Sequence, residues 1–300
     1  MVSNLDGSNL SGPLNGRKIG FFPILYYPTT STNVYIEQTM IGTLSAISHT
    51  RDSLSMKFTQ GACEEGNPSM KLLDDPSLGG VLLLSPHVQE EKIAFLKNFR
   101  VPLVFLFFQP EDPEIAYLDM DNKKGARLAV EHLVSIGHRK IAFLGGDIIL
   151  SSNARNRYAG YQEVLMEKGI VENPLIVRHG DFSITHGYEA MKEILGLPKT
   201  VRPTAVFGAT DMIALGAMQA CTQSGLRVPW DMSIVGFDDI ETAKTSDPPL
   251  TTIHQPFREI GQKAVLMLDE LIADPHSRDK HLLVTPSLIV RSSSVAHLKA

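Results

Sequence analysis

Four stretches carry side chains that could bind a ligand as well as build a fold. "GFDDIE" at 236–241 ends an apolar run on Asp238. At the carboxyl edge of a buried strand such a carboxylate either caps the next helix or accepts hydrogen bonds from a ligand. "ARNRYAGYQEVL" at 154–165 sets Arg155 and Arg157 near the start of a helix. A cation there opposes the helix dipole, so it either faces solvent or has another partner; Arg155 reads as the solvent-facing one. "GDFSITHG" at 180–187 presents Phe182 just after a strand, where a ring either packs between elements or offers an apolar face to a ligand. Tyr26, Tyr27 and Tyr35 follow the first strand in the corresponding way. "PTAVFGATDMIALGAMQA" at 203–220 stops a buried strand at Thr210 and Asp211, so that a hydroxyl, a carboxylate and the first free amides of a helix face one edge.

Enzyme signatures are missing. Gly145-Gly146 follows a strand and precedes a helix, but no G-x-G-x-x-G or G-x-x-x-x-G-K-[ST] accompanies it, so it reads as a tight turn. There is no G-x-S-x-G elbow. "DMD" at 119–121 could hold a divalent cation, although a strand-end carboxylate followed by a helix cap explains it more simply. The ten histidines show no H-x-x-x-H or H-x-H and there is no C-x-x-C, so neither a metal nor a cofactor is expected. Trp230, in a turn before a strand, reads as surface or packing.

The composition is that of a globular chain: 300 residues, 43% apolar and 20% charged, enough for two lobes. A net charge of −5 argues against these residues gripping a phosphate backbone directly. The two cysteines, Cys63 and Cys221, read as reduced thiols. Residues 1–16, rich in Ser, Asn and Gly, lack the basic start and apolar block of a secretory signal and read as a linker or an appended segment. Runs such as "VPLVFLFF" at 101–108 are too short to span a bilayer, and a cytoplasmic location is expected.

Short apolar runs alternate with segments of helical period, the pattern of parallel βαβ crossovers. Strands are predicted at 17–25, 55–61, 80–84, 101–108, 115–120, 140–145, 175–179, 204–209, 233–237 and 282–290. Helices are predicted at 33–49, 89–99, 122–136, 153–168, 184–195, 211–224 and 257–273. The short link at Gly137–Arg139 suggests a lobe boundary, with further passages at 248–256, where prolines enforce extended chain, and at 275–282. The lobes are then 17–138 with 254–276 and 139–253 with 277–295, leaving 296–300 as a tail. Three passages between α/β lobes imply a hinge that closes around something.

Taken together, "DNKKGARLAVEHLVSIGHRKIAFLGG", "RYAGYQEVL", "GDFSITHGYEAM", "PTAVFGATDMIALGAMQA", "LRVPWDMSIVGFDD", "PPLTTIHQPFREIGQKAV" and "PSLIVRSS" resemble the effector-binding region of the lactose-repressor/galactose-repressor (LacI/GalR) family, over about residues 17–295. The resemblance implies a periplasmic-binding-protein-like fold of type I: two similar Rossmann-like lobes, parallel sheets flanked by helices, and three crossover strands. It also implies a small effector in the cleft between them. Its contacts would fall on Arg157 of the R-x-x-G motif, on Asp238 of "GFDD" and on Phe182 of "GDF". Arg157 would fork hydrogen bonds to ligand oxygens, Asp238 would accept from hydroxyls or ring N–H groups, and Phe182 would stack. Tyr35 matches the aromatic at the start of the first helix, and Ser85 a further polar cleft position.

Two positions depart from the family pattern: Phe107 stands where many members carry Asp, and Thr210 where several sugar-binding members carry Asn. Thr210 is expected to face the cleft and Asp211 to cap the helix, and the ligand to be less rich in hydroxyls than a free hexose. The expected function is the effector-sensing core of a dimeric transcriptional regulator without catalysis, binding a sugar or sugar derivative. Operator DNA would be bound through an N-terminal helix-turn-helix head. Residues 1–16 stand in place of that head, which is expected to have been removed; a naturally headless form is the alternative. A transport binding protein of similar two-lobe shape is the rival reading, and an enzyme ranks third.

Overall fold

The computed structural model describes residues 16–25, 34–48, 50–60, 71, 73–84, 93, 96, 99–277 and 280–297. In chain order their principal elements are β1 (Lys18–Leu25), α1 (Val34–Ile47), β2 (Ser53–Met56), β3 (Thr59–Gln60), β4 (Leu78–Leu84), β5 (Leu103–Leu106), β6 (Ala116–Met120), α2 (Asn122–Ser135), β7 (Ile141–Gly146), α3 (Ser152–Glu167), β8 (Val177–Gly180), α4 (Ile184–Gly196), β9 (Ala205–Gly208), α5 (Asp211–Gln223), β10 (Ser233–Asp238), α6 (Glu241–Thr245), β11 (Thr251–His254), α7 (Phe257–Ala273), β12 (His281–Val284) and β13 (Ser287–Ile289).

The chain divides into two compact units, as the α/β pattern predicts. The first runs to Asp119 and resumes over Phe257–Leu283; the second holds Met120–Pro256 and the chain from Val284 onward. The first sheet has the order β12-β6-β5-β4-β1-β2, with β3 also on β1; the second has the order β13-β11-β10-β9-β7-β8. Apart from the antiparallel β11–β13 pair, the second sheet is parallel, as are β1, β2, β4, β5 and β6 in the first. Strands β5 and β7 are buried along their whole length, because helices cover both faces of a parallel sheet and leave no place for alternating polar residues. In each unit the first strand lies between the second and the third. The topological switch points therefore fall between β1 and β4 and between β7 and β9.

The boundary differs from the one expected at Gly137–Arg139. Helix α2 belongs to the second unit, because Ala126, Ala129, Val130 and Leu133 on its apolar face are wholly buried there. Gly125 of α2 lies against the Phe237 ring, and Gly160 of α3 lets the two helices close until a Cβ would strike the Lys123 carbonyl. A short loop marks only a tight connection, whereas burial decides which core a helix joins. Three smaller differences follow from length. The 248–256 segment contains β11, and the 282–290 run is two strands, β12 and β13; α6 spans only five residues. The predicted helix at 89–99 lies largely outside the described residues.

Candidate functional site

The carboxyl ends of β7, β8, β9 and β10 in the second unit bring Arg157, Phe182, Thr210 and Asp238 to one edge of its sheet. Each reaches it by an ordinary local device. The Ser151 hydroxyl accepts from Ala154 N at 3.2 Å and starts α3, which puts Arg157 in its second turn. The Ser183 hydroxyl accepts from His186 N at 3.0 Å and starts α4 just beyond Phe182.

Arg157 is almost fully buried. Its Nε donates to Asn122 Oδ1 at 2.8 Å and its Nη1 to the Ala209 carbonyl at 2.5 Å. The guanidinium lies 3.7 Å from the centroid of the Phe237 ring, and Nη1 is 3.7 Å from Asp238 Oδ1. The solvent-facing option for this residue is thereby excluded: ring stacking, a fixed amide and a carboxylate compensate its desolvation. Asn122 is itself fixed, donating to the Met120 carbonyl at 3.0 Å and to Asn153 Oδ1 at 3.1 Å.

Asp238 terminates β10 with φ 128°, and Asp239 follows with φ 62°. Two consecutive non-glycine residues in this region cost backbone energy and mark a turn held by its surroundings. Gln255 Nε2 donates to Asp238 Oδ1. Burial pushes the Asp238 carboxyl above its ordinary range, while Arg157 and Gln255 pull it back. Burial also acts to raise Asp239, but hydrogen bonds from His254 (2.9 Å) and Arg291 outweigh it and hold Asp239 below the usual carboxylate range.

The capping role expected of Asp211 falls to Thr210. The Thr210 hydroxyl makes the cap, accepting from Ile213 N at 3.2 Å. Asp211 is the first helical residue and wholly buried; its carboxyl accepts from Ile240 N at 2.9 Å and from the Thr252 hydroxyl. Phe182 is half-buried, its ring lying over Gly146 so closely that a Cβ there would overlap it. Gly145-Gly146 is thus the end of β7, a platform for the ring, and not a turn.

The remaining predicted residues belong to the first unit. Phe107 follows β5 with φ 61° and packs edge-to-face on Tyr35 and Phe257 at centroid distances of 5.6 and 5.8 Å. Tyr35 is half-buried at the start of α1, and burial raises its phenol pKa. Ser85, Tyr26 and Tyr27 lie outside the described residues. Sequence reasoning missed Asn122, Phe237 and Gln255. The run Asp121-Asn122 opening α2 stands at the same kind of strand-to-helix edge and was the available signal.

A cavity of about 260 Å³ opens at the opposite, amino edge, beside Arg139, Tyr161 and Val201. Polar groups along it bond to the fold itself: Tyr161 donates to the Ile141 carbonyl at 2.8 Å and Lys140 to the Thr200 carbonyl at 2.7 Å. The chemistry therefore gathers at the carboxyl edge.

Residues 130–294 match the model of a periplasmic binding protein-like domain. The chain is 32% identical over 272 residues to the HTH-type transcriptional repressor PurR of Aliivibrio fischeri (strain MJ11), covering 90% of this chain and 80% of the relative. The LacI/GalR family is therefore where this chain belongs. Among solved structures, the lac repressor dimer bound to operator and the anti-inducer ONPF superimposes with TM-score 0.82 at 30% identity, covering 94% of this chain and 95% of that one. The complex of the transcriptional regulator CelR with cellobiose gives TM-score 0.81 at 27% identity, covering 95% of this chain and 87% of that one. The chain is thus the effector-binding core of a LacI-family transcriptional repressor, a family of regulators and not of enzymes.

Proposed function

We propose that the core binds a sugar or sugar derivative at the carboxyl edge of the second unit's sheet, and that occupancy of this edge controls operator binding. Arg157 donates to ligand oxygens, Asp238 accepts from ligand hydroxyls, Phe182 lies under an apolar ring face, and Thr210 lines the edge. In the first unit, Tyr35 and Phe107, and Ser85 outside the described residues, are the further contacts that the family resemblance implies. The observation that carries this reading is buried Arg157 with Asp238 3.7 Å away, Asp238 being the first of two consecutive residues of positive φ. A cation and an anion held side by side at a sheet edge are positioned for a ligand with both donors and acceptors. The cellobiose bound by CelR is of that chemistry.

The working protein is a cytoplasmic homodimer, like the dimeric lac repressor, and operator DNA is bound through a helix-turn-helix head rather than by these residues. The effector acts by binding one arrangement of the protein better than another, since only differential affinity shifts such an equilibrium. The transport reading finds no support among repressor relatives. A thermal-shift panel of cellobiose, free hexoses, pentoses, sugar phosphates and nucleosides tests the ligand class, because a ligand of the folded form raises Tm by mass action. Arg157→Ala and Asp238→Ala should each weaken the best ligand by roughly 2–5 kcal/mol in calorimetry. Unchanged affinity in both variants removes the site assignment.

A further inference from the structure

Asp211 is not among the proposed effector contacts, yet it ties that edge together. Its carboxyl is wholly buried. One oxygen accepts from Ile240 N at 2.9 Å on the far side of the Asp238–Asp239 turn, and the other accepts from the Thr252 hydroxyl on β11. The same carboxyl lies against Gly236, two residues before Asp238, where any Cβ would overlap Asp211 Oδ1. Asp211 thus grips the strained pair on both sides.

The carboxyls around this turn are served differently. Asp238 faces Arg157 and Gln255, and Asp239 is held by His254 and Arg291, whereas the hydrogen-bond partners of the Asp211 carboxyl are both neutral. Burial foremost, and then the negative charge of Asp238, push the Asp211 carboxyl upward; Thr252 and Ile240 oppose this, and Asp239 adds a smaller upward push. The charged groups facing it are therefore Asp238 and Asp239, with Arg157, His254 and Arg291 acting through those two. Chemistry accommodates a proton here. Ile240 N can only donate, but a hydroxyl can donate or accept, so protonation of Oδ1 needs only a rotation of the Thr252 O–H while the Ile240 bond to Oδ2 persists.

Resting on the reading that Asp238 meets the effector, we propose that Asp211 is the positioning residue of the site: it holds the Asp238–Asp239 turn and places a second carboxyl near that of Asp238. The test uses the whole chain without ligand, so it stands or falls separately from the effector assignment. Carboxyl ¹³C NMR follows the titration of Asp238, and amide exchange follows Ile240. Asp211→Asn mimics the protonated acid, since its amide can donate to Thr252 and accept from Ile240. It should keep Ile240 protection and lower the Asp238 midpoint by removing a neighbouring negative charge. Asp211→Ala orphans the Ile240 N–H and should speed its exchange roughly 10-fold or more. An unmoved Asp238 midpoint in Asp211→Asn, or unchanged Ile240 exchange in Asp211→Ala, overturns the proposal. Should Asp211→Ala fail to fold, the Asp238 midpoint in Asp211→Asn decides alone.

Discussion

The two units share a strand order but end it in different chemistry. β5 and β10 are each the third strand's outer neighbour, and both run into a residue of positive φ: Phe107 at 61° and Asp238 at 128°. In the first unit that residue is an aromatic packed on Tyr35 and Phe257. In the second it is a carboxylate beside a buried guanidinium. A doubly wound sheet therefore fixes where a side chain is displayed and leaves open what it displays. The first unit's edge carries packed aromatic rings, and the second's carries charged groups.

The sharpest way to break this comparison is to remove each unit's central group. Arg157→Ala leaves Asp238 and the Asn122 carbonyl oxygen without their cation and should cost about 3–5 kcal/mol in urea unfolding, together with effector binding. Phe107→Ala removes a ring that is 3% exposed and should cost a similar 3–5 kcal/mol through the cavity left behind, with a smaller loss of effector affinity. If Phe107→Ala abolished binding and Arg157→Ala spared it, the division of labour would be reversed.

Helix packing offers a middle-sized test. Gly42 and Gly261 join α1 to α7 in the first unit, and Gly187 and Gly216 join α4 to α5 in the second; a Cβ on any of them would strike a backbone carbonyl. Gly42→Ala and Gly187→Ala should each lose about 1–3 kcal/mol of unfolding free energy despite the better helix propensity of Ala. A gain in either variant would show that its helix pair is free to separate.

Comparable effects lie in pH dependence, where the units contain groups of opposite sign. In the second, burial pushes His138 down to about 4. Its contribution is present above the ordinary histidine pKa of roughly 6.5 and is lost as pH falls towards 4, which amounts to about 1–3 kcal/mol. In the first, burial, reinforced by Asp52, pushes Asp269 up to about 6, so its contribution is present below the ordinary aspartate value of roughly 3.9 and is lost as pH rises through 6. Thermal melts from pH 4 to 7 should show His138→Gln losing less than the parent on acidification and Asp269→Asn losing less on the alkaline side. Parallel curves for parent and variants would contradict both assignments.

Much of the candidate site's placement at the sheet edge was visible in residue types and spacing. Asp238 at the end of an apolar run, Phe182 just past a strand and Arg157 opposing a helix dipole each stood where their own segment had no use for them. Asp121 was legible as a cap, and it accepts from Lys124 N at 2.9 Å. Their partners were not legible. Asn122 is 35 residues from Arg157 in sequence, and Thr252 is 41 from Asp211. That Thr210 and not Asp211 makes the cap was equally hidden, because both can cap a helix and only β11, bringing Thr252 alongside, gives Asp211 somewhere else to bond.

Sequence alone determined the alternation of strand and helix, since hydrophobic period and turn residues act over a few positions, and with it the residues delivered to the sheet edges. Tertiary structure decided which core claimed α2, which carboxylate received a cation, and which of two adjacent residues became the cap. Those outcomes depend on burial and on donors supplied from distant segments, and a local pattern carries no record of either.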